Sequence, residues 1–389
     1  MAMLLTLVGA TPAAGQEAIV EVVAAGLDSP RGLAIGPDGA IYVAEAGTGG
    51  DTCLTDVPGR GRFCVGTTGA VTRIVEGQAE RIVEGLPSIS SAGEIHGPSD
   101  VSFIDEDRFF VITNLAGHPD DRAAMPDEVG DLAGWLIEAA TDGTIMPWVD
   151  VAAFEATGNP DAEDSGGEVF SNPHSVVAVE GGAAVIDAGG NALLGVDEAG
   201  AITVLAVLPP LILELTPEGL AGTAMAEEAD AAGPGEAATE EAASEPIPAL
   251  VQAVPTSVAV GPEGAYYVGQ LIGGPFPVGR ASVWRVEDSG EPEEYSTGFS
   301  NIIDIAFGPD GTLYVAEISS GSLMGVFEGD TAPTGAILAI PPGGGEAQVI
   351  LSDRRVVAPG GIAVDPQGSI YASMGTLTPG GGAVVRIDR

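Results

Sequence analysis

Apolar and polar residues alternate along this chain in runs of about five to seven, closed by turns rich in Gly, Pro, Asp and Glu, the period-two pattern of half-buried strands. One phrase recurs: an apolar strand, a tight turn, a second apolar strand ending near a polar residue, then a third strand. Its six copies begin at Pro30 (PRGLAIGPDGAIYVAE), Pro98 (PSDVSFIDEDRFFVIT), Pro173 (PHSVVAVEGGAAVIDA), Pro255 (PTSVAVGPEGAYYVGQ), Ile302 (IIDIAFGPDGTLYVAE) and Pro359 (PGGIAVDPQGSIYASM). Turns such as Gly36-Pro37-Asp38-Gly39 have hairpin chemistry, Pro presetting φ and Gly relieving the strained position. With the strands of the phrase named A and B, third strands C follow from Gly69, Gly134, Asn191, Ala281, Gly335 and Gly382, and fourth strands D from Ala79, Met146, Ile202, Glu293 and Ala347. The sixth copy runs to Arg389 without a D strand, while residues 17–27, EAIVEVVAAGL, carry the pattern of one just before the first A. The expectation is all-β: a six-bladed β-propeller of four-stranded antiparallel blades over residues 17–389, its ring closed by an N-terminal strand that joins the last blade and removes an exposed sheet edge.

Two segments fall outside the blades. Residues 214–246 hold nine acidic residues and no basic one, with few large apolar groups; self-repulsion and ordering entropy predict a disordered insertion within the propeller. The amino terminus reads MAMLLTLVGATPAAGQEA, an apolar run followed by small residues with a plausible cleavage site after Gly15, so residues 1–15 read as the remnant of a signal peptide although no Arg or Lys precedes the run. The run is too short to span a bilayer, and no later stretch does so. Cys53 and Cys64, the two cysteines, share one Gly-rich loop; in an exported chain they read first as a disulfide, since no third Cys or nearby His completes a zinc site. Export predicts a secreted or extracytoplasmic protein, and we expect a monomer. Thirteen Arg, no Lys and 56 Asp plus Glu give a net charge of −43, which repels nucleic acid and anionic lipid and serves solubility.

The phrase P-x-G-(apolar)-A-(apolar)-x-P-D-G-x-(apolar)-Y-V-A-E resembles the NHL-type propeller repeat. Across nearly the whole chain, the copy number, the acidic exported character and the insertion after the third blade resemble the ScyD/ScyE family. That resemblance implies an exported propeller and carries no settled activity. The same phrase resembles gluconolactonase and senescence-marker lactonases and the quinone-dependent, sorbosone-dehydrogenase-type sugar dehydrogenases, so it does not select one chemistry.

Strand alternation puts the start of A, the end of B, the B-to-C loops and the links between blades on one face, which carries every long loop. Around the channel mouth on that face the alignment places Arg31, Asp100, His174 and Asp304 at the start of A and Glu45, Asn114, Gln270 and Glu317 at the end of B. Blades two and five are opposite in a ring of six, so Asp100 and Asp304 should face each other; with Glu45 and Glu317 they form a candidate oxygen-only site for Ca²⁺. The plainer reading is that such Asp residues cap turns and such Glu residues meet solvent or Arg31. His96, His118 and His174 lie in loops or at blade starts, where a hydrogen-bonded role is the commoner one. No G-x-S-x-G, P-loop or H-E-x-x-H motif occurs, and one mouth arginine is too few for an acidic quinone. Two functions remain: a binding module presenting its loop-rich face to a small molecule, glycan or protein, and a metal-dependent lactonase-like hydrolase built on Glu45, Asp100, Asp304 and Glu317.

Overall fold

The structure, a computed structural model, describes residues 18–57, 60–215, 247–287, 290–329 and 332–388. Six antiparallel sheets form the blades, each running A to D outward. Blade 1 is Pro30–Ile35, Ile41–Glu45, Phe63–Val75 and Gln78–Ser91, extended by Glu94–His96. Blade 2 is Pro98–Phe103, Arg108–Thr113, Trp135–Ala140 and Ile145–Asp150; blade 3 is Pro173–Val179, Gly182–Asp187, Ala192–Asp197 and Ile202–Val207. Blade 4 is Pro255–Val260, Tyr266–Gln270, Ala281–Val286 and Pro292–Phe299; blade 5 is Ile302–Phe307, Leu313–Glu317, Ala336–Ile340 and Gln348–Leu351. Blade 6 joins Gly361–Val364, Ile370–Met374 and Gly382–Asp388 to the N-terminal strand Ile19–Leu27, which pairs antiparallel with the last strand from Ile19 opposite Asp388 to Leu27 opposite Gly382.

Burial explains the sequence pattern. Strand B is covered on both faces by neighbouring blades, so Ile41–Glu45 and Leu313–Glu317 are buried throughout, whereas outer strands such as Ile19–Leu27 mix buried and exposed positions. A separate apolar cluster fills each gap, for instance Tyr42, Val71, Phe109 and Ile137 between blades 1 and 2, and Ile337, Ile362, Ile370 and Ile387 between blades 5 and 6. A recurrent polar clasp fixes the A-to-B turns: Tyr42 Oη donates to Asp38, which also binds Arg73 of strand C, and Glu263, Tyr267 and Arg285 repeat it in blade 4.

On the loop-rich face, strands C and D of blade 1 run past the blade as a long ribbon, and Thr52–Leu54 pairs with its tip so that Cys53 stands directly opposite Cys64. The two form a disulfide. Beneath the ribbon, Phe63, Ile89, Leu115 and Val129 make a small core, and Arg60 pairs with Asp121 at 3.0 Å while lying over the Phe63 ring. The expected insertion is held by a feature the alternation did not reveal: Leu211–Leu215 and Ile247–Val251 pair as a two-stranded ribbon between blades 3 and 4. Glu214 and Leu215, expected within the disordered insertion at 214–246, are instead paired strand residues of this ribbon; the rest of that expectation falls on 216–246, outside the described residues, as does the leader at 1–15.

Candidate functional site

Strand A begins with a bulge in blades 1 to 5, where the register slips just after its first residue, as between Pro98 and Asp100 and between Ile302 and Asp304. The candidates at the start of A therefore fall into two rows. Arg31 and His174 occupy the second position, with Ser99, Thr256 and Ile303; Asp100 and Asp304 occupy the third, with Gly32, Ser175, Ser257 and Gly361.

The third-position row, together with Thr256 and Ser373, binds blades together around the channel. Asp100 accepts from Ser175 Oγ (2.8 Å) and Val176 N (3.0 Å) of blade 3, and Ser175 Oγ in turn accepts from Val258 N of blade 4. Thr256 Oγ1 donates to Ile302 O, Asp304 accepts from Ile362 N (2.8 Å), and Ser373 Oγ donates to Arg31 O. Gly32 completes the circuit, because a Cβ there would overlap the Asp100 carboxyl. Burial raises both aspartates above the ordinary carboxylate range, and the charge of Asp100 raises Asp304 further.

The end-of-B residues lie apart from that pair. Glu45 accepts from Asp28 N (2.5 Å), Thr72 Oγ1 and Arg81, and Glu317 accepts from Ser300 N (2.7 Å); each clamps the turn leading into its own blade. Burial pushes the Glu317 carboxyl up to about 7. Gln270 accepts from Trp284 Nε1, and Asn114 Nδ2 donates to Pro173 O. Register shows that the blade 2 residue equivalent to Glu45 is Thr113, opposite Pro98, and that blade 3 contributes Asp187, opposite Pro173. Asp187 is the same clamp, accepting from Asn172 N and Ser171 Oγ at 2.7 Å each. The closing Asp of AAVIDA, aligned with the closing Glu of YVAE, is the signal that would have found it.

The polar groups that do converge at the mouth come from blades 1 and 3. Arg31 is 6% exposed; its Nη2 donates to Ile95 O at 2.5 Å and its Nε is buried with no hydrogen-bond partner. Its charge reaches Glu94, His96 and His174. Burial first, then Arg31, pushes His96 down to about 3 and His174 to about 4, so both are neutral imidazoles at neutral pH. Glu94 keeps 39% of its side chain accessible, and burial raises its carboxyl while the charge of Arg31 lowers it. His174 Nδ1 faces Thr256 O at 2.7 Å. His118 sits away from this group and caps the short helix Pro119–Ala124.

A cavity of about 730 Å³ lies beside the disulfide ribbon, lined by Asp56, Arg60, His118, Asp120 and Phe170. A larger one, about 1140 Å³, opens on the opposite face among the A-to-B turns, over Phe103 and Phe307. Several of its polar groups are already spent, Asp38 on Arg73 and Arg386 on Asp388. No family model matches the chain, and no curated protein does. Among solved structures it is similar to a protein of unknown function from Bacteroides thetaiotaomicron, at 9% identity over 95% of this chain and 75% of that one (TM-score 0.51). It is also similar to PQQ-bound aldose sugar dehydrogenase from Streptomyces coelicolor, at 12% identity over 96% and 98% (TM-score 0.51). Virginiamycin B lyase from Staphylococcus aureus aligns at 12% identity over 96% and 100%, with a TM-score of 0.47. The likeness is one of fold. No helix among the described residues is long and apolar enough to cross a membrane, and the disulfide is compatible with an extracytoplasmic location.

Proposed function

We propose that this chain is an exported binding propeller of the ScyD/ScyE type that takes a small hydroxylated carboxylate at the channel mouth of its loop-rich face. The observation that carries this reading is the Arg31 guanidinium, buried with Nε unused beside Glu94 and two neutral histidines. Guanidinium favours a carboxylate, and neutral imidazoles with Glu94 suit hydroxyls as donors and acceptors. Three probes separate the outcomes in calorimetric titrations of the full chain: D-gluconate, D-glucose and D-glucono-1,5-lactone. Saturable binding of gluconate, lost in Arg31→Gln while thermal unfolding stays cooperative, is expected. Equal responses from glucose and gluconate, or none from either, would sink the carboxylate reading.

The hydrolase reading keeps one supporting observation, the mutual action of Asp100 and Asp304. A cation between them would relieve that repulsion, with Glu45 and Glu317 engaged elsewhere. Lactone opening faster than its spontaneous rate, dependent on calcium and lost in Asp100→Asn/Asp304→Asn, would favour hydrolysis over binding.

A further inference from the structure

Behind strand B of blade 3 lies an acidic cluster that no reading so far uses. Glu155, on the helix Val151–Gly158, is 1% exposed; Asp187 is 1% exposed and Asp161, from the following loop, 2%. The charges of Asp187 and Asp161 both raise the Glu155 carboxyl, after burial itself. The groups that act on Glu155 and Asp187 include no cation. Gly190 is folded against the cluster so closely that a Cβ there would stand 2.5 Å from Glu155 Oε2 and 3.7 Å from Asp187 Cγ.

The oxygens divide into used and unused. Asp187 is fully committed, Oδ2 to Ser171 Oγ and Oδ1 to the amides of Asn172, Gly189 and Gly190. Asp161 Oδ2 accepts from Asn191 Nδ2 at 2.6 Å. Glu155 Oε1 and Asp161 Oδ1 are buried with no partner, and so are two amide oxygens from the bounding segments, Asn159 Oδ1 and Asn172 Oδ1. A buried carboxylate oxygen without a donor costs several kcal/mol, so each of these atoms implies a missing neighbour. This is not a preformed cage of three carboxylates, and none exists among the described residues. With Asp187 spent, what is free is two carboxylate oxygens, one from the helix and one from the loop after it. Oxygen-only donors, flexible geometry and uncompensated negative charge match calcium, which fills the rest of its six to eight positions with carbonyl groups and water.

We propose that blade 3 carries a calcium site in which Glu155 Oε1 and Asp161 Oδ1 are the carboxylate donors. The ion would pin the helix Val151–Gly158 and the loop after it to the strand B clamp, ordering one wall of the loop-rich face. The site is independent of any ligand at the channel mouth.

The test is a calorimetric titration of calcium chloride into chelator-stripped full-length protein at physiological salt, with magnesium chloride as the control for diffuse attraction to the acidic surface. One saturable calcium site is expected. Glu155→Gln and Asp161→Asn should each weaken it by about tenfold or more, since charge count sets calcium affinity. Glu198→Gln, which removes an exposed charge from the same blade, should leave it unchanged. Glu155→Gln keeps the uncharged state that burial favours and Asp161→Asn keeps an acceptor for Asn191 Nδ2, so each calcium-free variant is expected to melt no lower than the parent; should one fail to fold, the other carries the test. Absence of saturable binding, or binding as tight in both cluster variants as in the parent, overturns the proposal.

Discussion

At the scale of single residues, the channel-mouth candidates turn out to do two jobs that the sequence could not separate. The recurring phrase locates every one of them, but a bulge one residue wide decides which side of strand A each side chain takes. Arg31 is the second residue of its copy and Asp100 the third of its own, so the two stand in adjacent rows, and only the pairing shows what each row does. Thr113 and Asp187 pair with the first residue of strand A, and for Asp187 the aligned end of AAVIDA carries the signal that the reading passed over. Glu94 was missed because its strand is a fifth, irregular addition to blade 1. Glu317 offers a direct test of what burial costs. Its carboxyl is shifted from 4.5 to about 7, so the folded chain holds that proton more tightly than the unfolded one. The associated stability is full below about pH 4.5 and is lost as pH rises through 7, a change of about 3 kcal/mol at most. Glu317→Gln keeps an acceptor for Ser300 N and removes the charge. The variant should match the parent near pH 4.5 and melt higher at pH 8; identical melting curves at pH 8 would show that the carboxylate is solvated in the folded state.

At the scale of elements, strand number, order and ring closure were legible because one strand–turn–strand phrase recurs six times and the pattern of a missing outer strand stands just before the first copy. The ribbon Leu211–Leu215 with Ile247–Val251 was not, because its two halves are separated by a long acidic segment and neither half alone differs from an outer strand. That ribbon gives the insertion a stem whose ends are already paired. Replacing residues 216–246 with Asn-Gly should therefore form a two-residue hairpin and change stability by less than about 2 kcal/mol. A larger loss in denaturant unfolding would mean that the removed residues pack against the blades.

At the scale of the whole molecule, stability comes from six similar apolar gaps and one polar circuit, and the disulfide lies outside both, in the ribbon above blade 1. Its closed loop is short, with a sequence separation of 11, for which chain entropy predicts about 3 kcal/mol or less. Reduction should loosen residues 51–66 and the cavity beside them while the blades keep their far-ultraviolet spectrum; hydrogen exchange would localise the change. Protection lost evenly across all six blades would show that the bridge supports the ring itself.

The pairing of Ile19–Leu27 with Gly382–Asp388 also sets an order of events in time. A chain made from its amino end produces the sealing strand first and its partner last, so no growing chain can shut the circle. Throughout synthesis, and throughout any threading across a membrane, the two strands that would lock it stay apart. The seam between Ile19–Leu27 and Gly382–Asp388 thus stays open until the second of those strands has been made.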